Sequence, residues 1–334
     1  MRAAVISVLA FLLGLVCAAG CNVEQLEKVA AEIAQRQQDQ AAAPTNAGGG
    51  VSGVSGGPTA APSGDKIRIA SFNIQVFGQS KMNKPEVMKV LTEIVRKFDI
   101  VAVQELRSSK QDVIPRFLEM INSTGRNYDS IVGPRLGRTS SKEQYVFLYD
   151  KNRIAVEPDS VYTINDPSDL LHREPLVASF RAIGADQTRE PFRFTLINIH
   201  TDPDETKEEL DALGEVYQLV RYSGPQEDDV ILLGDLNVSY KRFGALGQIP
   251  GITWTVGDEP TNTLRKSSYD NLVFIASDTR EFTGLAEVFD TEKNFGLTRD
   301  QAMDVSDHLP VWGEFSAYEA GPSAVASGAA APVR

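Results

Sequence analysis

Six times in this chain an apolar run meets an acid, an amide or a histidine at its end or its start. Ile67–Phe72 runs into Asn73, Ile100–Val103 into Gln104-Glu105, Phe194–Ile199 into His200, and Val230–Gly234 into Asp235-Leu236-Asn237. Asp270 stands before Leu272–Ala276, and Asp307-His308 before Leu309–Phe315. If the last two runs lie antiparallel to the first four, all these polar residues share one rim of a sheet. Such a rim gathers the ingredients of a hydrated divalent-metal site and points to phosphate ester chemistry.

Each motif alone has a plainer reading. Asp235 and Asn237 are two residues apart, so in extended backbone they share a face and can address one ligand; an Asx turn closing a strand accounts for them equally well. Glu105 offers a carboxylate to a cation, or is a solvated strand end. A histidine beside an aspartate, as in Asp307-His308, can be a base or a metal ligand, although a lone histidine is more often structural. The count shifts that balance, because the chain has only three histidines and two of them, His200 and His308, sit on the proposed rim. The third, His172, reads as loop structure. No CxxC pair, P-loop or dinucleotide glycine fingerprint occurs.

The elements that must carry these residues are legible in the periodicity. Pro85 opens a helix with Val87, Val90, Leu91, Ile94 and Phe98 on one face, and a second carries Val113, Phe117, Leu118 and Ile121. Thr206-x-x-Glu209 reads as a capping box opening a third, striped with Leu210, Leu213, Tyr217 and Val220. Strands are expected at Tyr145–Tyr149, Leu176–Ile183, Phe194–Ile199, Val230–Leu233 and Leu272–Ile275. Runs that are apolar on both faces imply covered sheets, so the fold expected is a layered α/β sandwich. At 334 residues with 42% hydrophobic content a sizeable core is affordable. A formal charge of −12 argues against holding nucleic acid by bulk electrostatics alone, but bound cations would reverse the local field.

The N-terminus has the form of an export signal. Arg2 precedes the apolar Ala4–Val16, too short to span a bilayer, and then Ala18-Ala19-Gly20. With Cys21 that stretch resembles the lipobox of bacterial lipoproteins, which makes Cys21 the expected lipidated first residue. The expected location is exported, periplasmic or cell-surface, with membrane attachment only through the anchor at Cys21. The other cysteine, Cys17, lies within the signal, so the mature domain has no disulfide. The organisation expected is a signal at 1–20, a short helix (Glu24–Gln40) and flexible tether at 21–64, one folded domain at 65–318, and a disordered tail at 319–334.

Taken together and in order, the motifs resemble a known family. Ser71-Phe72-Asn73-Ile74-Gln75-Val76-Phe77-Gly78, Val103-Gln104-Glu105-Leu106-Arg107 and Asn198-Ile199-His200 come first. Gly234-Asp235-Leu236-Asn237, Ser268-Tyr269-Asp270 and Ser306-Asp307-His308-Leu309-Pro310 follow. They resemble the endonuclease/exonuclease/phosphatase superfamily, and within it the deoxyribonuclease-I-like branch; Leu136–Glu143 and Arg173-Glu174-Pro175 look like that branch too. The resemblance covers Lys66–Phe315. It implies an α/β (by some schemes α+β) four-layer sandwich of two packed mixed sheets, with Mg²⁺ or Mn²⁺ at the sheet edge. It further implies metal contacts from Glu105, Asn73 and Asp307, and a phosphate and attacking water positioned by Asp235 and Asn237. His308 oriented by Asp270 would be the base partner, and His200 paired with Glu143 the acid partner. Arg107 and Arg173 would contact substrate phosphates. Two loops offer oxygens for Ca²⁺, Asp169 with Glu174 and Glu259 with Thr261 and Thr263, though plain polar loops explain them as well.

The expected activity is therefore a metal-dependent endonuclease acting on DNA as a monomer. Two departures bear on substrate: Gln75 stands where the branch has an arginine, and Ser141 where it has a tyrosine that stacks in the minor groove. These remove backbone and sugar contacts, not catalytic groups. The alternatives left open are a phospholipid or sphingomyelin phosphodiesterase or phosphatase on the same fold, and a catalytically silent binding module.

Overall fold

The computed structural model describes residues 64–140, 142–223 and 229–320. The expected signal, Cys21, the stalk helix, the tether up to residue 63, Ser141 and residues 321–334 lie outside the described residues. Within them the chain forms β1 (Lys66–Phe77), α1 (Gln79–Met82), α2 (Pro85–Val95), β2 (Ile100–Leu106), α3 (Val113–Asn122), β3 (Tyr128–Val132), β4 (Gln144–Asp150), β5 (Ile154–Val156), β6 (Tyr162–Thr163), β7 (Leu176–Ala182) and β8 (Arg193–His200). There follow α4 (Thr206–Ser223), β9 (Val230–Asp235), β10 (Ile252–Trp254), β11 (Asp270–Ile275), β12 (Phe282–Val288), α5 (Thr291–Phe295), α6 (Arg299–Val305) and β13 (Val311–Ser316). Glu319 and Ala320, expected in the tail, donate backbone hydrogen bonds to the Glu190 carbonyl and the Glu281 carboxylate.

Two mixed sheets result. One has the order β12-β13-β1-β2-β4-β3; the other runs β10-β11-β9-β8-β7-β5, with β6 on β7. Alternation along β1 explains their stacking: Ile67 and Ile69 join the core that includes the second sheet, whereas Ala70 and Phe72 face the helices. Side chains of α2 (Val87, Leu91, Ile94) and α3 (Val113, Phe117, Ile121) cover that outer face. On the far side, Leu210, Leu213 and Tyr217 of α4 cover the second sheet, and the Tyr217 hydroxyl donates to the Val230 carbonyl at 2.9 Å. Helices, sheet, sheet and helix make the four layers expected from the sequence.

The strand directions create the rim. β1 and β2 are parallel and β13 runs antiparallel to β1; β8 and β9 are parallel and β11 runs antiparallel to β9. Asp235 is in register with His200 on one side and Asp270 on the other. Odd positions of β1 face the second sheet, so Asn73 tops the inter-sheet core, opposite Asp235. Beneath the rim, Gln104 donates to the Asn198 side chain at 2.7 Å and joins the sheets through a buried polar bridge.

Gly234 lets β8 and β9 close at that point. Its φ is +154°, and a Cβ there would stand 1.8 Å from the Ile199 carbonyl oxygen. Gly234→Ala should therefore cost about 3 kcal/mol or more, read as a lower urea midpoint at an unchanged slope. A midpoint within error of wild type would refute this account of the strand approach.

Candidate active site

The centre of the rim is the Asp235 carboxylate, which is 1% exposed. Its Oδ2 accepts from the Asn73 amide at 3.0 Å and lies 3.5 Å from His200 Nε2 and 3.4 Å from His308 Nε2. Its Oδ1 accepts the Asn237 backbone N–H at 3.0 Å. Asn237 has a left-handed φ of +51°, and its amide donates to the Thr201 carbonyl at 2.7 Å, tying the loops after β8 and β9 together. The Asp235 Oδ1 contact with the Asn237 N–H is the Asx turn expected of Asp235-Leu236-Asn237.

Each imidazole is held from behind by an acid. His200 Nδ1 lies 2.8 Å from Glu143 Oε1, and His308 Nδ1 lies 2.8 Å from Asp270 Oδ2. Burial works against the charged His200 ring, but the hydrogen bond and charge of Glu143 and the charge of Asp235 raise its pKa above 6.5. Burial also opposes charge on His308, and the carboxylates of Asp270, Asp235 and Asp307 overcome it, lifting the ring well above 6.5. Burial likewise works to raise Glu143, yet His200, Arg173 and Arg107 outweigh it and hold that carboxyl down at about 2. Both rings thus favour imidazolium, with Nε2 turned to one shared oxygen.

Beside this centre lies a set of oxygen donors. Glu105 has a left-handed φ of +65°, which turns its carboxylate back toward Asn73 Nδ2 at 3.2 Å. The Val76 N–H, on a β-branched residue held at φ +47°, donates to Glu105 Oε2 at 2.8 Å. Strain of this kind gathers at functional sites. Asp307 Oδ2 accepts from the Gln75 amide at 2.9 Å. Asn73 Oδ1 and Asp307 Oδ1 are buried without a hydrogen-bond partner. Burial pushes the Asp307 pKa up; His308 opposes this, and the Glu105 charge adds to it. Unpartnered oxygens among mutually repelling carboxylates are a donor set that fits a hard divalent cation. A second grouping, Glu105, Glu143 and His200, also places one ligand atom each within 4.8 Å.

Not every expected residue arrives in its expected role. Arg107 stands at the rim, with Nε 3.2 Å from Glu105 and 3.3 Å from Glu143. Arg173 does not face a substrate phosphate: it is 5% exposed, with Nε 2.6 Å from Glu143 Oε1 and on the His200 carbonyl. A guanidinium spent on a buried carboxylate and a carbonyl orients them instead. The calcium loops are also corrected. The Asp169 carboxylate is paired with Arg138 at 3.1 Å, so a protein cation already occupies the oxygen offered to Ca²⁺. Thr261 and Thr263 are fully buried, and their hydroxyls donate to Asp270 Oδ2 at 2.6 Å and to the Ser306 carbonyl at 2.7 Å. Glu259 is exposed on the same loop.

Sequence reasoning missed the residues that hold the site rather than line it. Thr261 shares Asp270 with His308. Tyr145, buried on β4, accepts the His200 N–H through its hydroxyl at 2.9 Å. Ser306 donates to the Asn73 carbonyl at 2.7 Å. The capping box at Thr206 does not form: Thr206 is the first helical residue, and Glu209 turns inward to the backbone N–H groups of His172 and Asp202. Trp254 is half-buried and stacks on Tyr240 at 4.8 Å between ring centroids.

Comparison with known proteins identifies the family of the chain. Residues 70–285 match the Endonuclease/Exonuclease/phosphatase family. Deoxyribonuclease gamma of Homo sapiens is 32% identical over 262 residues, covering 73% of this chain and 84% of that protein. Deoxyribonuclease-1-like 1 of Mus musculus is 33% identical over 262 residues, covering 75% and 81%. Among solved structures, humanized D. rerio TDP2 superposes with a TM-score of 0.53 at 16% identity, over 76% of this chain and 100% of that one. The human Nocturnin catalytic domain with bound sulfate does so with 0.52 at 13%, over 75% and 94%. At these identities the two structures speak for the fold.

The depressed Glu143 pKa fixes a stability window. Its folded value of about 2 lies below the ordinary 4.5, so its contribution is complete above pH 4.5 and is lost as pH falls through about 2. Glu143→Gln should flatten the acid slope of unfolding free energy between those limits, measured by urea titration at stepped pH. An identical slope in wild type and variant would contradict the assignment.

Proposed function

Because the chain belongs to the endonuclease/exonuclease/phosphatase family and is a phosphodiester-cleaving enzyme of it, we propose that it is a divalent-metal-dependent endonuclease that hydrolyses DNA. The observation that carries this reading is the pair of acid-held imidazoles presenting Nε2 to one oxygen of Asp235. In-line displacement at phosphorus needs a base on the entering side and an acid on the leaving side, and His308 with Asp270 and His200 with Glu143 supply one each. The DNA substrate is carried over from the deoxyribonuclease relatives.

In this reading His308, held in one tautomer by Asp270, takes the proton of the attacking water. His200 gives a proton to the departing oxygen, and its raised pKa suits that task. Asp235 and Asn237 orient phosphate and water. Glu105, Asn73 and Asp307 would hold Mg²⁺ or Mn²⁺, which when bound supplies positive charge to the phosphoryl oxygens. Arg107, pivoting from its carboxylates, would add charge-assisted bonds to phosphate. Arg173 keeps Glu143 and the His200 backbone in place. Export and a lipid anchor at Cys21 belong to the same proposal and rest on the N-terminal sequence.

Purified protein with Mg²⁺ or Mn²⁺ should convert supercoiled plasmid to the nicked form and stop on chelation. His308→Ala and His200→Ala should each lower kcat by about a hundred- to ten-thousand-fold. A base must be neutral to act, so the acid limb of the rate profile should lie above pH 6.5, where His308 gives up its proton. Folded protein that leaves plasmid intact but releases phosphorylcholine from sphingomyelin, or free phosphate, would move the substrate elsewhere on the same fold. In cells, labelled fatty acid should enter the wild-type chain and be absent from Cys21→Ser; equal labelling would remove the anchor.

A further inference from the structure

Glu209 is a carboxylate that hydrolysis of a phosphodiester does not use, yet it is fully buried on the first turn of α4. Its two oxygens have separate backbone partners. Oε1 accepts the His172 N–H at 2.7 Å, and Oε2 accepts the N–H of Asp202. These belong to the two loops that deliver the His200 half of the rim. His172 immediately precedes Arg173, which grips Glu143 and the His200 carbonyl. Asp202 follows Thr201, whose N–H donates to the Asp235 carbonyl at 3.0 Å and whose carbonyl accepts the Asn237 amide at 2.7 Å.

We propose that Glu209 is a positioning residue for the reaction, clamping the loop before β7 to the loop after β8 so that His200, Glu143, Arg173 and Asn237 keep their alignment. The inference rests on the proposed hydrolysis only for its kinetic readout. A carboxylate is the one side chain of this length with two acceptor oxygens and no donor. Two buried N–H groups from different loops therefore receive full partners from one residue, where each left unmade would carry its full desolvation penalty. The other half of the site has its own fastening, through Thr261 on Asp270 and Ser306 on the Asn73 carbonyl. The clamp thus acts on one imidazole and not the other.

Burial raises the Glu209 pKa to about 7, against the two backbone hydrogen bonds and the Arg173 charge, while Asp202 adds to the rise. Protonation would set a hydroxyl against a backbone donor and loosen the same loops. Loosening would begin as pH falls through about 7. The packed loops and β4 also carry His172, Glu174, Asp204, Glu205 and Tyr145 as titratable groups.

Glu209→Gln keeps the shape but turns one oxygen into an NH₂ that opposes a backbone N–H. With only three histidines in the chain, imidazole nitrogen spectra of wild type and variant resolve each ring. The expected result is a displaced His200 Nδ1 signal with that of His308 unmoved. On bis(4-nitrophenyl) phosphate with Mn²⁺, kcat should fall about tenfold with KM within about twofold, as for an aligning interaction realised in the transition state. A lower melting temperature with the His200 signal and kcat unchanged overturns the proposal, as does a change in either readout without the other. If Glu209→Gln does not fold, Glu209→Asp, too short to reach both N–H groups, must give the same two changes in smaller measure. Should wild type cleave no phosphodiester, the hydrolytic reading fails while the spectra still decide the clamp.

Discussion

Everything at the rim is arranged around one buried oxygen. Asp235 Oδ2 receives the Asn73 amide from the opposite sheet and faces Nε2 of both histidines. A lone carboxylate in that position would be costly, since burial alone pushes its pKa up; the charges of His308 and His200, the Asn237 N–H and Asn73 reverse the sign and lower it. The two imidazoles are in turn kept charged by Glu143 and Asp270. Removing any member leaves a buried charge uncompensated, a larger penalty than the pair itself was worth. Five groups therefore stand or fall as a unit.

That unit dictates what the sheets must do. Its members come from the residue before β4, from β8, β9 and β11, and from the segment before β13, with Asn73 of β1 joining them, so both sheets must end at the same height. Parallel pairing of β8 with β9, and antiparallel pairing of β11, put His200, Asp235 and Asp270 in one row. Gly234 permits the close approach that the row needs. The inter-sheet core does not stop abruptly under this polar layer. It passes through Gln104 and Asn198, whose amides satisfy the Val103 and Val146 carbonyls and each other. Apolar packing sets the spacing of the sheets, and this amide bridge sets the level at which charge begins.

The fold was largely legible because double-sided burial writes strands as uninterrupted apolar runs, and the rim because each run ends in a polar residue. The assumption that the Asp270 and Asp307-His308 runs are antiparallel was enough to place six strand ends together. What stayed hidden depends on partners far apart in sequence. Arg173 looks like any surface arginine until Glu143 and the His200 carbonyl are brought to it. Thr261 and Thr263 look like loop ligands until their hydroxyls are seen buried under Asp270 and Ser306. Glu209 has the spacing of a capping box, but two distant N–H groups outcompete the local one. The turn of Glu105 toward Asn73 is a backbone choice, φ +65°, that no side-chain pattern announces.

The site also separates chemistry from selection. Gln75 occupies the position where the deoxyribonuclease-I-like branch has an arginine, and it points its amide at Asp307 Oδ2. An arginine there would neutralise Asp307 and offer charge to a phosphate. A glutamine holds the same carboxylate by one neutral hydrogen bond and leaves its charge in place beside Glu105. The negative charge available to a cation is kept, while one positive contact to a polyanion is given up. In a chain of net charge −12 that loss is not made good by the surface as a whole. In the proposed reading, attraction for an anionic substrate must then come from the rim itself, from Arg107, the His200 imidazolium and whatever cation the oxygens hold.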